Sequence, residues 1–354
     1  MRSLRRAGCE PVTVVTEGAP PGRAEPSDSI LCRGDVILDE RIVAALAEGA
    51  PVVVLDRKLG AVAARVGPEQ ADEAAEVLRG QRPSDALRLR VRAPEEMVPA
   101  WVPKLRRWVP ATVHPARPEL VEELERQTFA ASYKGVTDLV TKWVWPAPAA
   151  IATRYCANRG ITPNAVTIAS WVLALAVIPL FAEGAFLPGL IAAWAMTFLD
   201  TVDGKLARVT LTSSRLGDVL DHGLDLLHPP FWYFAWGLGI GAASGPVTAI
   251  VVGGYVAGRL LEGAFLAAFK LETHSWKPVD AMFRTITARR NPNLILLSVG
   301  ALGGRPDLGL WMVALWTLVS LAFHSLRLVQ AFVARRRGDP IVAWDLMENE
   351  RDVA

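Results

Sequence analysis

Residues 200–225 read DTVDGKLARVTLTSSRLGDVLDHGLD, and segments apolar enough to cross a bilayer flank them on both sides. Asp200, Asp203, Asp221 and Asp225 thus stand at the edge of hydrocarbon, where an ionised carboxylate is costly unless a metal ion, water or a basic partner compensates it. Asp200 and Asp203 lie three residues apart and Asp221 and Asp225 four apart, so on two helices each pair projects from one face. The four carboxylates can then converge between two helix ends. Oxygen ligands at this density suit hard divalent cations such as Mg²⁺, Mn²⁺ or Ca²⁺, and the lack of cysteine or paired histidine nearby speaks against zinc. His222 sits one residue off the carboxylate face and is not expected to ligate. Asp218 is either a fifth ligand or, on the plainer reading, a first-turn residue favoured by the helix dipole. Gly204 and Gly217 leave the backbone open to close approach by a phosphorylated ligand. Arg208, about one turn after Gly204, offers a fork of donors to phosphate.

Working outward, residues 1 to about 134 are mixed and charged, whereas the chain beyond about 164 carries long apolar runs, so at least two domains are expected. Six apolar segments fall at roughly 165–182, 185–204, 218–240, 245–269, 293–303 and 308–334, most of them near the length that spans hydrocarbon and the fifth short. Lys205, Arg208 and Arg215 separate the second and third, and Lys270, Lys277, Arg284, Arg289 and Arg290 separate the fourth and fifth. Arg335, Arg336 and Arg337 follow the sixth. The opposite connections, near Glu183, Gly241 and Arg305, carry one basic residue among them. The positive-inside rule therefore puts both termini and the aspartates on the cytoplasmic side of the inner membrane. A soluble bundle of buried helices is the alternative, and this alternation of charge disfavours it.

Ahead of the first span, residues 137–160 mix Trp143, Trp145, Lys142, Arg154, Tyr155 and Arg159 with apolar positions, and Pro146 and Pro148 break the run. An interfacial helix anchored by aromatic and basic side chains fits this pattern, as does an ordinary amphipathic surface helix. Thr162-Pro163-Asn164 marks a helix start. Cys9, Cys32 and Cys156 are scattered without metal spacing, which predicts a reducing compartment and no disulfide framework. The first residues lack a continuous apolar core, so no cleavable signal is expected. With 38 Lys and Arg against 36 Asp and Glu, overall charge does not point to nucleic acid.

The pattern D-x2-D-G-x2-A-R-x8-G-x3-D-x3-D, filled by Asp200, Asp203, Gly204, Ala207, Arg208, Gly217, Asp221 and Asp225, resembles the signature of the CDP-alcohol phosphotransferases. Thr162-Pro163-Asn164 is similar to the start of that family's first span. The resemblance implies an integral-membrane enzyme that transfers a phosphoalcohol group from a CDP-alcohol to a hydroxyl of an alcohol acceptor and releases CMP. It implies two divalent cations, Mg²⁺ or Mn²⁺, on Asp200, Asp203, Asp221 and Asp225, with Asp225 also abstracting the acceptor's proton. Gly204, Ala207, Arg208 and Gly217 would line the cytidine and phosphate pocket. A homodimer is implied too, through the Trp311–Leu328 span or the third span. The simplest donor is CDP-diacylglycerol, and CDP-inositol is the soluble variant.

Val12–Val15 and Val52–Leu55 are strand-like runs on either side of an apolar-periodic stretch, Arg41–Ala47, so residues 1–134 are expected to form a small α/β unit. Its order resembles a fragment of the sugar-phosphate nucleotidyltransferases. The glycine-rich phosphate loop is missing where Met1-Arg2-Ser3-Leu4-Arg5-Arg6 stand, so cytidylyltransferase activity is not expected. Asp35 and Asp56, isolated beside turns, are read as structural.

For the acceptor, Arg259 inside the fourth span needs a polar cavity, and Arg284, Arg289, Arg290 and Asn291 cluster on the same side. They can bind a phosphorylated acceptor such as inositol phosphate or glycerol phosphate, or the last three arginines can anchor lipid headgroups. Glu262 is placed to pair with Arg259 on one helix face. A different class of function, a cation transporter or channel, would use the intramembrane carboxylates as an ion path, but has no need of Arg208 and two glycines in fixed register with them. The sequence therefore predicts a mainly α protein: a six-transmembrane-helix catalytic bundle over 161–337, an interfacial helix over 135–160, a small α/β cytoplasmic domain over 1–134 and a cytoplasmic tail over 338–354.

Overall fold

The computed structural model describes residues 2–14, 28–103 and 105–344, without the side chains of Arg2, Ala86, Leu216, Asp218, Asp221, His222 and Leu224. The expected ligand Asp221, with Asp218 and His222, is thus placed only as a position along a helix. The chain divides into two compact units, one ending at Ala131 and one beginning at Ser132.

In the first unit a short helix, α1 (Arg2–Arg6), precedes β1 (Ser29–Cys32), β2 (Val36–Leu38) and α2 (Glu40–Glu48). The Asp39 side chain caps α2 by accepting from Arg41 N, and Ile42, Val43 and Leu46 form its buried face. Next come β3 (Val52–Asp56), β4 (Gly60–Val66), α3 (Ala71–Leu78), β5 (Arg90–Arg92), α4 (Pro94–Met97), β6 (Trp101–Val102), β7 (Arg107–Trp108), β8 (Val113–Pro115) and α5 (Val121–Ala131). The main sheet has the order β1-β4-β3-β5, antiparallel except for the β3–β5 pair. Side chains alternate along β3: Val53 packs with Ala74 and Val77 of α3, and Val52 and Val54 with Ile42 and Leu46 of α2. One helix therefore covers each face.

The expected α/β unit is present, and the expected strand at Val52–Leu55 is β3. Over residues 12–14 no strand forms, because a strand exists only where a neighbour takes its backbone groups; Val15 lies outside the described residues. Asp56 is a turn residue, its Oδ1 accepting from Lys58 N at 2.8 Å and Leu59 N at 2.9 Å. Asp35 pairs with Arg33 at 2.6 Å, which holds its carboxyl below the usual range through that hydrogen bond.

The second unit is helical. A π-helical turn, Val140–Val144, leads into α6 (Pro146–Asn158), α7 (Pro163–Ala182), α8 (Phe186–Val209), α9 (Arg215–Gly239), α10 (Pro246–Phe269), α11 (Pro278–Arg284), α12 (Arg290–Leu302) and α13 (Pro306–Arg336). Pro146 does not break a helix as the sequence suggested; it opens α6, as Pro163, Pro246, Pro278 and Pro306 open theirs. At a first position the missing N–H has no intrahelical acceptor to lose. Trp145, expected at a lipid interface, packs edge-on against Trp194 and Phe198 of α8, at centroid distances of 6.1 and 5.2 Å.

Among the described residues four helices are long and apolar enough to cross a membrane: α7, α8, α10 and α13. The fifth apolar segment is the 13-residue α12, about 20 Å long at 1.5 Å per residue and short of a hydrocarbon core of about 30 Å. α9 has 25 residues, but its first half carries the aspartates. Phe181, Met196 and Trp236 join α7, α8 and α9 in one core, with the Phe181 and Trp236 rings 4.8 Å apart. Gly189 permits this closure, since a Cβ there would stand 2.5 Å from the Phe181 ring. On the outside of α7, Ile168, Val172 and Leu175 are exposed at the spacing of one helix face, a surface suited to lipid rather than water.

Candidate active site

The carboxylates sit where α8 ends and α9 begins. Thr210 closes α8, and Ser214 caps α9, its Oγ accepting from Gly217 N at 3.0 Å. This tight connection places Asp200 and Asp203, in the last three turns of α8, beside the first half of α9. Asp203 is buried, and Thr167 of α7 donates to its Oδ2 at 2.6 Å. Asp200 accepts from Arg290 Nη2 at 2.5 Å, and Asp225 accepts from Arg290 Nη1 at 2.8 Å. One guanidinium at the start of α12 thus bridges the carboxylates of two other helices. The sequence reading had assigned Arg290 to an acceptor and not to these aspartates. Asp225 is 53% exposed against 10% for Asp200, so Asp225 is the one open to the adjoining cavity.

Around the carboxylates, the Arg208 guanidinium lies over Gly204, where a Cβ would approach it to 3.2 Å. At Gly217 a Cβ would stand 2.9 Å from Asn164 Oδ1 and 3.1 Å from Ser214 Oγ. Both glycines are therefore sites of close packing. Ala207 follows on the same turn of α8 as Gly204. Lys205, buried on α8, rests over the Tyr133 ring at 3.5 Å, an arrangement the sequence reading did not foresee. Burial pushes the Tyr133 hydroxyl up to about 12 against the opposing charge of Arg208.

A cavity of about 520 Å³, counting its open mouth, adjoins Asp225. Arg259, Arg284, Arg289 and Arg290 all line it, so the structure brings the four expected arginines together. Asp138, Tyr255 and Asn291 add to its polar wall. Tyr255 Oη donates to the Asp225 carbonyl oxygen at 2.7 Å. Asp138 accepts from Val140 N, Thr141 N, Thr141 Oγ1 and Asn291 Nδ2 at 2.8–3.1 Å. Burial raises its pKa, but the Arg284 charge and these hydrogen bonds outweigh that and hold it below the usual range. Sequence reasoning missed Asp138; its only local signal is an acid just before a helical turn. Glu262 pairs with Arg259 at 2.8 Å as anticipated, and it also accepts from Arg289 and from His274.

The set can do two things chemically. Asp200, Asp203 and Asp225 offer oxygen donors to hard cations, and the arginines beside them offer planar donor forks to phosphate.

Comparison with known proteins agrees with this chemistry. Residues 160–324 match the family model of the CDP-alcohol phosphatidyltransferases. The chain is 29% identical over 136 residues to cholinephosphotransferase 1 of Gallus gallus, covering 35% of this chain and 38% of that protein. It is 28% identical over 166 residues to the archaetidylinositol phosphate synthase of Pyrococcus horikoshii, covering 46% of this chain and 81% of that protein. The chain thus spans well under half of the first relative and most of the second. The ion-path alternative is not favoured, since both relatives are transferases or synthases by name and a guanidinium stands between Asp200 and Asp225. Residues 160–324 of this chain, which carry the aspartates of α8 and α9, are thus the part that matches the CDP-alcohol phosphatidyltransferase family.

Proposed function

We propose that the protein transfers a phosphoalcohol group from a CDP-alcohol to the hydroxyl of a phosphorylated polar alcohol and releases CMP. One observation carries the reading: Asp225 is shared between the carboxylate cluster and the arginine cavity. A donor pyrophosphate at the cluster and an acceptor in the cavity then meet at one side chain.

Asp200, Asp203, Asp221 and Asp225 would hold two divalent cations, Mg²⁺ or Mn²⁺; the buried oxygen donors of Asp200 and Asp203 fit them. When bound, the cations neutralise the pyrophosphate and the charge developing on the departing CMP. Gly204, Ala207, Arg208 and Gly217 form the cytidine and phosphate pocket, Arg208 supplying charge and the small residues supplying room. Asp225 takes the proton from the acceptor hydroxyl as its oxygen attacks the phosphorus that bears the donor alcohol. That oxygen forms the new P–O bond, and the bond to CMP breaks with its electron pair leaving on CMP. Arg259, Arg284, Arg289 and Arg290 hold the acceptor's phosphate and so orient its hydroxyl. The archaeal relative is by name an archaetidylinositol phosphate synthase, and a cavity walled by four arginines suits an acceptor of that kind.

The donor is CDP-diacylglycerol in the simplest case, with CDP-inositol as the soluble variant. The bundle lies in the cytoplasmic membrane with six spanning helices, α9 and α12 joining the four long ones and the bilayer thinning locally around the short α12. The segment 135–160 lies along the interface, both termini and the site face the cytoplasm, and the enzyme works as a homodimer. Basic residues concentrated on the aspartates' side support that orientation. Purified protein with Mg²⁺ or Mn²⁺, supplied with either donor and a panel of alcohols with and without phosphate, will release CMP fastest with a phosphorylated acceptor. No CMP from any donor contradicts the reading.

A further inference from the structure

Behind the arginine wall lies a second group of polar side chains. Glu262 of α10 does not line the larger cavity, yet it bonds to two of the four arginines that do. Its Oε2 accepts from Arg259 Nη1 at 2.8 Å and from Arg289 Nη2. Its Oε1 faces His274 Nε2 at 3.2 Å, and His274 is 3% exposed. Burial, reinforced by the charges of Arg289 and Arg284, pushes the His274 imidazole down to about 3 despite the Glu262 hydrogen bond. The ring is thus neutral, and its Nε2–H donates to the carboxylate.

Two readings of this cluster compete. Glu262, His274 and His324 bring ligand atoms within 4.8 Å of one another, and glutamate with two histidines is a known zinc set. Charge opposes that reading, because Arg259 and Arg289 already bond to the same carboxylate and a divalent cation there would face both guanidiniums. The other reading starts from the arginines. Each loses rotamer entropy when it is held in one place, and guanidiniums sharing a cavity repel one another. A carboxylate behind the wall relieves both costs and leaves further donors on each fork. The Nε atoms of Arg259 and Arg289 are in fact buried with no hydrogen-bond partner among the described residues, a donor surplus that an anion would satisfy.

We propose that Glu262 is the positioning residue of this cavity, holding Arg259 and Arg289 in register to receive a phosphomonoester on the acceptor alcohol. The inference rests on the acceptor reading above and adds what sets its specificity. Glu262 touches no substrate; it acts through the two arginines, and His274 fixes the carboxylate from the far side.

The test is titration of the full-length protein in detergent with glycerol 3-phosphate, inorganic phosphate and glycerol, together with steady-state constants for both substrates. Wild-type protein binds the two phosphate-bearing probes and not glycerol. Glu262→Ala weakens their binding about tenfold, the loss expected for one charge-assisted contact per arginine, and Glu262→Gln weakens it less because one acceptor oxygen remains. The acceptor KM rises in step while the CDP-alcohol KM stays within about twofold. In the Arg289→Ala background Glu262→Ala adds less than it does alone, the non-additivity required of a residue that works through another. Wild-type protein that binds glycerol 3-phosphate no better than glycerol overturns the phosphorylated-acceptor reading and this inference with it. Wild-type binding that Glu262→Ala and Glu262→Gln leave unchanged, losses that are additive with Arg289→Ala, or stoichiometric zinc lost in Glu262→Gln each overturn the inference alone.

Discussion

Arg290 donates to Asp200 across 90 residues of sequence, Nη2 to Oδ2 at 2.5 Å, and its other terminal nitrogen reaches Asp225. The first residue of α12 therefore ties the last three turns of α8 to the first half of α9. A planar fork can serve two carboxylates at once, which an ammonium does less well. Arg290 and divalent cations would bond to the same oxygens and so compete for them.

Replacing Arg290 with Gln removes that competition. Binding of Mn²⁺, followed by electron paramagnetic resonance, is expected to tighten several-fold in Arg290→Gln, while CMP release falls at least about tenfold because the acceptor loses a donor fork. Unchanged Mn²⁺ affinity would show that the arginine and the cation do not share ligands.

Gly217, proposed above to line the nucleotide pocket, is a packing site. Gly217→Ala forces a Cβ to within 2.9 Å of Asn164 Oδ1, so a loss of roughly 1–3 kcal/mol in stability is expected, with weaker use of the CDP-alcohol. Gly263 on α10 meets nothing within 4 Å, and Gly263→Ala should be neutral or stabilising by up to about 1 kcal/mol. Thermal midpoints of the two variants in one detergent make the comparison.

His274 links stability to pH. Its folded pKa is pushed from 6.5 to about 3, so between those values the unfolded chain binds a proton that the folded protein does not. Stability therefore falls as pH drops below about 6.5, by up to about 1.4 kcal/mol per pH unit. His274→Gln should flatten that part of the profile of thermal midpoint against pH. An unchanged slope would mean that the imidazole titrates normally.

Asp203 is buried, and Thr167 donates to it. Asp203→Asn keeps the shape and the hydrogen bond while removing the charge needed for a cation. CMP release is expected to fall about a thousandfold or more, with the protein still folded by near-ultraviolet circular dichroism. Residual activity above a tenth of wild type would remove Asp203 from the ligand set.

Much of this arrangement is legible in the sequence because it is local. The Asp200–Asp203 spacing, the Pro163 start of α7 and the Arg259–Glu262 pair all depend on residues within one or two helical turns. The structure also gathers the four arginines that charge placement had grouped. Contacts that depend on helix packing were not legible: Arg290 on Asp200 and Asp225, Asn291 on Asp138, and Arg289 on Glu262. Nothing in the spacing of residues so far apart states which helix ends meet. Pro146 is ambiguous for a different reason, since a proline opens a helix or breaks it according to where the helix begins, and the packing of Trp145 on Phe198 of α8 depends on which helices meet.

Phosphoalcohol transfer at Asp225 is measured as CMP release by the purified protein from CDP-diacylglycerol or CDP-inositol, with and without Mg²⁺ or Mn²⁺, in wild type and Asp225→Asn. Release is expected to require the cation and an alcohol acceptor and to be abolished in Asp225→Asn. Absence of CMP from every donor, with Asp225→Asn instead altering cation flux in proteoliposomes, would contradict this.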